Sequence, residues 1–240
     1  MTHVSHPFAQ RLGIIRDWKS RWFANEPKKY REYLRTDAAV RKFLEKKLKG
    51  MAIAGIEIER DQKTYRIIVK TARPGLVIGR SGEGATTLRK EIDLLMRTLK
   101  LGEKPEIKID IEEVRSPESS ASIVGQMVVE GLEKRLPFRR VLKQTVEKVM
   151  ANRDVQGVRI HLSGRLGGAE MARREQLKKG RIPLQTLRAD IDFAREKAIL
   201  PYGAIGVKVW IYRGDIFTDR KAVAAGKEEA PRRAAAPRRG

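Results

Sequence analysis

Apolar positions along this chain follow two periods, and each change of period marks an element. Val40, Phe43, Leu44 and Leu48 recur at helical spacing. They predict a helix with Asp37 as its cap and Gly50 just past its end. Ile56 and Ile58 then alternate with Glu57 and Glu59. After the polar turn Arg60-Asp61-Gln62, Tyr65, Ile67 and Val69 alternate with Arg66 and Lys70, so a β-hairpin is expected. Leu76-Val77-Ile78 forms a short apolar turn that leads into the glycine-rich run Gly79-Arg80-Ser81-Gly82-Glu83-Gly84. Ala85, Leu88, Ile92, Leu95 and Leu99 share one face of the next helix, which Gly102 and Pro105 end. Ile107, Ile109 and Ile111 alternate with Lys108, Asp110 and Glu112 as a third strand.

A second module starts near Ser116-Pro117-Glu118, which reads as a helix N-terminus with an acidic residue at the positive end of the dipole. The expected helix covers residues 118–136, with Ile123, Met127, Val128 and Leu132 as its apolar stripe. Pro137 interrupts, and a second helix buries Leu142, Val146 and Val149. Strands follow around Val158, Ile160 and Leu162, around Ala189, Ile191 and Phe193, and from Ile205 to Ile211. Helices on one face of a sheet make this a second α/β layer, so the fold class is α+β built of two α/β layers. The expected units are a basic aromatic arm at 1–36, a first domain at 37–115, a second at 116–218 and a disordered basic tail at 219–240.

Charge sharpens this picture. The chain of 240 residues has 52 Lys and Arg against 30 Asp and Glu, a net charge of +22. A folded protein this basic points to a polyanionic partner. No apolar run is long enough to span a bilayer, and Met1–Pro7 lacks the apolar centre of a signal peptide, so a cytoplasmic protein without membrane association is expected. The absence of Cys excludes disulfides, thiolate metal sites and cysteine nucleophiles.

The glycine run is the candidate phosphate site. Gly79 and Gly84 have Walker A spacing, but Ala85 and Thr86 stand where that loop needs Lys and Ser or Thr. A dinucleotide fingerprint fails as well, because Thr87 occupies the third glycine position. Gly79-Arg80-Ser81-Gly82 fits instead as a Gly-x-x-Gly clamp between two helices. Such a loop grips the backbone of a single-stranded nucleic acid. Arg80 adds a charge-assisted contact, and the following helix offers free N–H groups. A Gly-x-x-Gly also occurs as a plain helix cap. Here the order helix-strand-strand-helix-loop-helix-strand is that of a type II KH domain.

Longer motifs carry a more specific resemblance. Thr71-Ala72-Arg73-Pro74-Gly75-Leu76-Val77-Ile78-Gly79, Arg11-Leu12-Gly13-Ile14, Arg16-Asp17-Trp18 and Arg21-Trp22-Phe23-Ala24 resemble the bacterial small-subunit ribosomal protein S-three family. The strongest likeness lies in Ser163–Glu170, Leu187–Asp192 and Tyr202–Ile211. It covers about residues 8–217. The resemblance implies a structural constituent of the small subunit, ribosome-bound in the cytoplasm. It would bind 16S rRNA in the head and line the channel by which mRNA enters. Its implied neighbours are small-subunit proteins ten and fourteen in the head and four and five around the channel. It also implies that Arg139, Arg140 and Lys143, at the start of the second helix of the C-terminal module, face incoming mRNA and help to unwind it. By spacing these three share a face away from Leu142, Val146 and Val149, and Lys134 and Arg135 precede them. The chain departs from the family in its first residues and in the clamp, where Ser81 stands at a position often basic in relatives.

Further basic clusters are candidates for rRNA contact. Arg11, Arg16, Trp18, Arg21 and Trp22 lie in the arm, where the tryptophans either stack on bases or dock on the first domain. Arg165 sits in the glycine-rich turn. Arg173, Arg174, Lys178, Lys179 and Arg181 follow in what reads as a long basic loop. No enzyme, metal site, cofactor or small-molecule substrate is expected. His3, His6 and His161 are scattered, and Asp190 and Asp192 read as partners for arginines. Two alternatives remain on these residues: a free-standing KH-type regulator or processing factor for single-stranded RNA, and a DNA-binding architectural protein.

Overall fold

The computed structural model describes residues 5–61, 63–98 and 105–216. A short N-terminal turn, α1 (Pro7–Gln10), precedes strand β1 (Ser20–Arg21) and the long helix α2 (Pro27–Lys47). The hairpin β2 (Ile53–Arg60) and β3 (Thr64–Thr71) forms as its alternation predicts, with Ile58 opposite Ile67. Helix α3 (Pro74–Ile78), the glycine loop, helix α4 (Glu83–Thr98) and strand β4 (Glu106–Glu113) complete the unit. The sheet order is β1-β2-β3-β4, and the two outer pairings are parallel. Helices α2 and α4 cover one face and seal a core around Val40, Leu44, Ile58, Tyr65, Ile67 and Ile92. Each such side chain contributes about 1.5–3 kcal/mol by leaving water.

Helix α2 starts earlier than the pattern predicts. Pro27 occupies its first turn, where a missing N–H costs nothing. The helix therefore runs through the boundary expected between residues 36 and 37. Asp37 is no cap but a buried mid-helix acceptor. It takes hydrogen bonds from Trp22 Nε1 (2.7 Å), the Tyr65 hydroxyl (3.0 Å) and Arg60 Nη2 (3.3 Å). Burial, followed by the nearby Asp37 charge, pushes the Tyr65 phenol well up.

The second unit packs helices α5 (Ala121–Glu133) and α6 (Phe138–Met150) on one face of a four-stranded antiparallel sheet. Its strands are β5 (Gly157–Gly164), β6 (Arg173–Gly180), β7 (Ala189–Leu200) and β8 (Gly203–Asp215), in the order β6-β5-β8-β7. The expected helix at 118–136 divides into a 3-10 turn at Pro117–Ser119 and α5. The break falls at Ser120, and the Asp192 carboxylate accepts the Ala121 N–H at 2.9 Å. The segment read as a long basic loop is instead the edge strand β6, paired with β5 from Gly157–Gly180 to Gly164–Arg173.

One side chain joins the two units as a strand neighbour would. Gln126 on α5 accepts the Ile53 N–H at 3.1 Å and donates to the Ile53 carbonyl at 2.9 Å. Ser122 donates to the same carbonyl. The open end of β2 is thereby satisfied by a helix. Leu99, Gly102, His3 and the tail expected at 219–240 lie outside the described residues.

Candidate nucleic-acid interface

The glycine clamp is built by backbone conformation. Gly79 has φ +73°, Ser81 +51° and Gly82 +81°, all in the left-handed region. A Cβ on Gly79 would lie 3.0 Å from the Gly84 nitrogen, and one on Gly84 would meet the Val77 carbonyl oxygen at 2.6 Å. Gly84 is thus the glycine that lets α3 and α4 approach, a role that motif spacing alone does not show. Arg80 and Ser81 are exposed at the tip, with Leu76 and Ile78 also exposed behind them. Glu83 stands in the first turn of α4, so this clamp offers one cation beside one carboxylate.

The start of α6 forms a second basic surface. Val141, Leu142, Val146 and Val149 are buried, while Arg139, Arg140 and Lys143 are exposed, as their spacing predicts. Arg135 takes a left-handed turn (φ +59°) that brings the chain from α5 into α6. Strand β6 then places Arg173 beside this helix start. Arg139 and Arg173 both lie over the Phe138 ring, 5.7 and 5.3 Å from its centroid. Both approach Glu175, at 3.3 and 3.8 Å. Residues far apart in sequence thus form one cationic edge.

Several predicted contacts are engaged within the chain itself. Arg11 is fully buried. Its Nε donates to the Ala189 carbonyl, Nη1 to Pro7, and Nη2 to Leu184 and Thr186. It staples the N-terminal segment to the C-terminal sheet, which withdraws it from rRNA; burial also lowers its pKa. Arg16 pairs with Asp190. Arg213 bridges Asp190 and Asp192, so these carboxylates are structural partners of arginines, as their sequence setting predicts. Arg21 pairs with Asp17, Glu57 and Glu59. Trp22 is docked between Tyr30, Tyr33 and Asp37, whereas Trp18 and Phe23 remain exposed. Arg165 donates to the Ala169 and Tyr202 carbonyls and holds the glycine turn against the β7–β8 connection. Along β6, Arg174 and Lys178 are exposed on the side opposite Glu175 and Leu177; Lys179 and Arg181 are exposed as well.

Among the described residues, no group of three or more His, Asp or Glu side chains is placed to hold a metal. No helix among them is long and apolar enough to cross a membrane.

A clamp-bearing α/β unit joined to a basic α/β unit defines a class: RNA-binding proteins that contain a KH domain. Residues 39–119 match the KH domain family, and residues 128–211 match the family described as ribosomal protein S3, C-terminal domain. The small ribosomal subunit protein uS3 of Caldicellulosiruptor bescii is 46% identical over 90% of this chain and 94% of its own length. That of Alkalilimnicola ehrlichii is 44% identical over 96% and 98%. The Streptococcus mutans protein is 44% identical over 92% and 98%. The chain belongs to the small ribosomal subunit protein uS3 family.

Proposed function

We propose that this chain is a structural constituent of the small ribosomal subunit that binds 16S rRNA in the head and contacts incoming mRNA. Family membership supports the ribosomal part. The mRNA part rests on the cationic edge of α6: Arg135, Arg139, Arg140 and Lys143 with Arg173 brought beside them, and with Glu175 paired into it. Such an edge holds phosphates without reading bases, which suits a channel that passes every message. Small-subunit proteins ten and fourteen are its proposed neighbours in the head, and four and five around the channel. The functional units are the arm, the KH unit, the C-terminal unit and the tail. Location is cytoplasmic, on the ribosome.

The mechanism needs no chemistry of its own. Cations at the start of α6 hold single-stranded phosphates, and the translating ribosome supplies the pull that opens a duplex ahead. The test combines Arg139→Gln, Arg140→Gln and Lys143→Gln. All three side chains are exposed, so the fold and co-sedimentation with small subunits should persist. Translation of a message with a stable hairpin should slow about tenfold relative to an unstructured one, the equivalent of roughly 1.4 kcal/mol. Equal slowing of both messages would remove the unwinding role. A wild-type chain found only in light gradient fractions at low salt would favour a free-standing RNA regulator.

A further inference from the structure

The C-terminal sheet has a second face. α1 with His6, and Ile182 and Leu184, cover its end at Ile191, Phe193, Trp210 and Tyr212; among the described residues, no helix of the C-terminal unit packs on the rest. Cross-strand register identifies its residues. Arg159 lies opposite Lys178 on one side and Trp210 on the other. His161 lies between Gln176 and Lys208, and Ser163 between Arg174 and Gly206. On β7, Arg195 lies opposite Lys208 and Lys197 opposite Gly206. No Asp or Glu occupies an outward position in these rows. Of the acids of these strands, Glu175, Asp192 and Glu196 alternate to the helix side, and Asp190 and Asp215, at the far end of β7 and β8, pair with Arg16, Arg213 and Arg188.

Among the described residues, none of Arg174, Lys178, Arg195, Lys197 and Lys208 has a carboxylate partner, and the Arg159 guanidinium bonds only the Gln176 amide oxygen. The crowding of charge is felt at the centre. Burial lowers the pKa of His161, and Lys208, Arg159 and Arg174 lower it further. The charged imidazolium is thus disfavoured at this position, and among the described residues the buried Nδ1 of His161 has no hydrogen-bond partner.

We infer that this face is a second RNA-binding surface and that it takes the sugar-phosphate backbone of a folded, double-stranded rRNA segment. The inference rests on the ribosomal reading above and adds a site to it. Charge selects the partner: six cations with no carboxylate partner on one sheet face call for a polyanion. Strands lie about 4.8 Å apart and same-face residues about 6.8 Å apart, so the cations form a rigid grid rather than a flexible tail. The aromatic side chains decide the mode. A sheet that stacks single-stranded bases needs exposed rings, but Trp210 is 3% exposed, with Arg159 over it, and Phe193 is 8% exposed, packed by His6 with Arg195 over it, in a cluster that Ile182 and Leu184 also cover. Bases have nothing to stack on, whereas phosphates meet the guanidinium groups first. The His161 imidazole, among these cations, can exchange a hydrogen bond with a ribose 2′-hydroxyl.

The experiment uses the full chain with Arg174→Gln, Lys178→Gln and Lys208→Gln combined, probed with an RNA duplex of mixed sequence over a salt series. Loss of about three phosphate contacts should reduce the slope of log K against log salt by about 2–3 and weaken low-salt binding at least tenfold. The melting temperature should not fall, since among the described residues none of the three side chains has a carboxylate partner. If the triple variant melts early, Arg195→Gln with Lys197→Gln repeats the measurement, with a slope reduction of about 1–2. An unchanged slope in both variants overturns the inference while leaving the ribosomal reading intact. Wild-type binding to neither duplex nor single-stranded RNA would sink the ribosomal reading itself. Unchanged RNA binding with lost small-subunit co-sedimentation would assign the face to a protein and overturn the inference as well.

Discussion

Asp37 should be the most sensitive polar position in the first unit. Its carboxylate and the Arg60 guanidinium retain only 4% and 6% exposure. Three donors converge on it, from Trp22, Tyr65 and Arg60. Arg60 is sandwiched between Tyr33 and Tyr65, 4.0 and 4.7 Å from their ring centroids, so it cannot swing out to water without unpacking both rings. Asp37→Ala therefore leaves a buried cation unopposed and two further donors without an acceptor. Breaking a buried pair costs about 3–5 kcal/mol, and the orphaned donors overlap with that cost rather than adding to it, so we expect about 4 kcal/mol. With a urea dependence of about 1.5 kcal/mol per M, the unfolding midpoint should fall by roughly 2–3 M. Urea titration followed by tryptophan fluorescence is suitable, because Trp22 donates to Asp37 directly. Removing both charges together, as Asp37→Leu with Arg60→Met, should recover more than half of the loss. A cost below about 1 kcal/mol for Asp37→Ala, the value of a surface pair, would refute the reasoning.

Two other predictions follow from the structure. Ser81→Lys should strengthen single-stranded RNA binding several-fold and steepen its salt dependence by about 1, because it adds a cation to a clamp that has only Arg80 beside Glu83; filter binding over a salt series checks this, and an unchanged affinity would count against the clamp as a phosphate site. Glu196 has its pKa raised by burial first and by the Glu45 charge second. The folded state thus holds this proton more tightly than the unfolded chain. Stability from this site is full below the unfolded carboxylate pKa and declines as pH rises towards the folded value. Glu196→Gln should consequently melt higher than wild type at neutral pH and converge with it in acid, which thermal melts across pH will show.

The elements legible in the sequence are those with a buried face. The hairpin and the helix after the clamp show their periods because Ile58, Ile67, Leu88 and Ile92 all enter one core. Strand β6 is illegible for the opposite reason. In Arg173–Gly180 only Leu177 is apolar, and an edge strand takes its conformation from hydrogen bonds to its neighbour rather than from burial. Its weak signal is the glycine pair Gly157 and Gly180, which face each other at the strand end; a Cβ on Gly180 would lie 2.2 Å from the Gln156 carbonyl oxygen. The first turns of α2 are hidden similarly. Lys28, Lys29, Arg31 and Glu32 are all exposed and carry no period, and Pro27 is the one local marker of the start.

Sequence reasoning also treats all arginines as one species, and the fold divides them. Arg11, Arg16, Arg21, Arg60, Arg165 and Arg213 are held by carbonyls or carboxylates. Part of the charge that first suggested a polyanion thus ties the chain to itself. Arginine suits this role because its planar fork reaches several carbonyls at once and does not lose its charge when buried. What remains for a partner is unevenly distributed. The clamp presents Arg80 alone, while the C-terminal unit presents the α6 edge on one side and the cation grid of the sheet on the other. These two surfaces belong to opposite sides of strand β6: Arg173 and Glu175 turn towards α6, and Arg174 and Lys178 turn outwards. The alternation of a single edge strand therefore supplies both surfaces. A one-residue slip of β6 against β5 would exchange them and carry Leu177 out of the core. The glycines at 157 and 180, too closely packed for any side chain, hold the register against that slip.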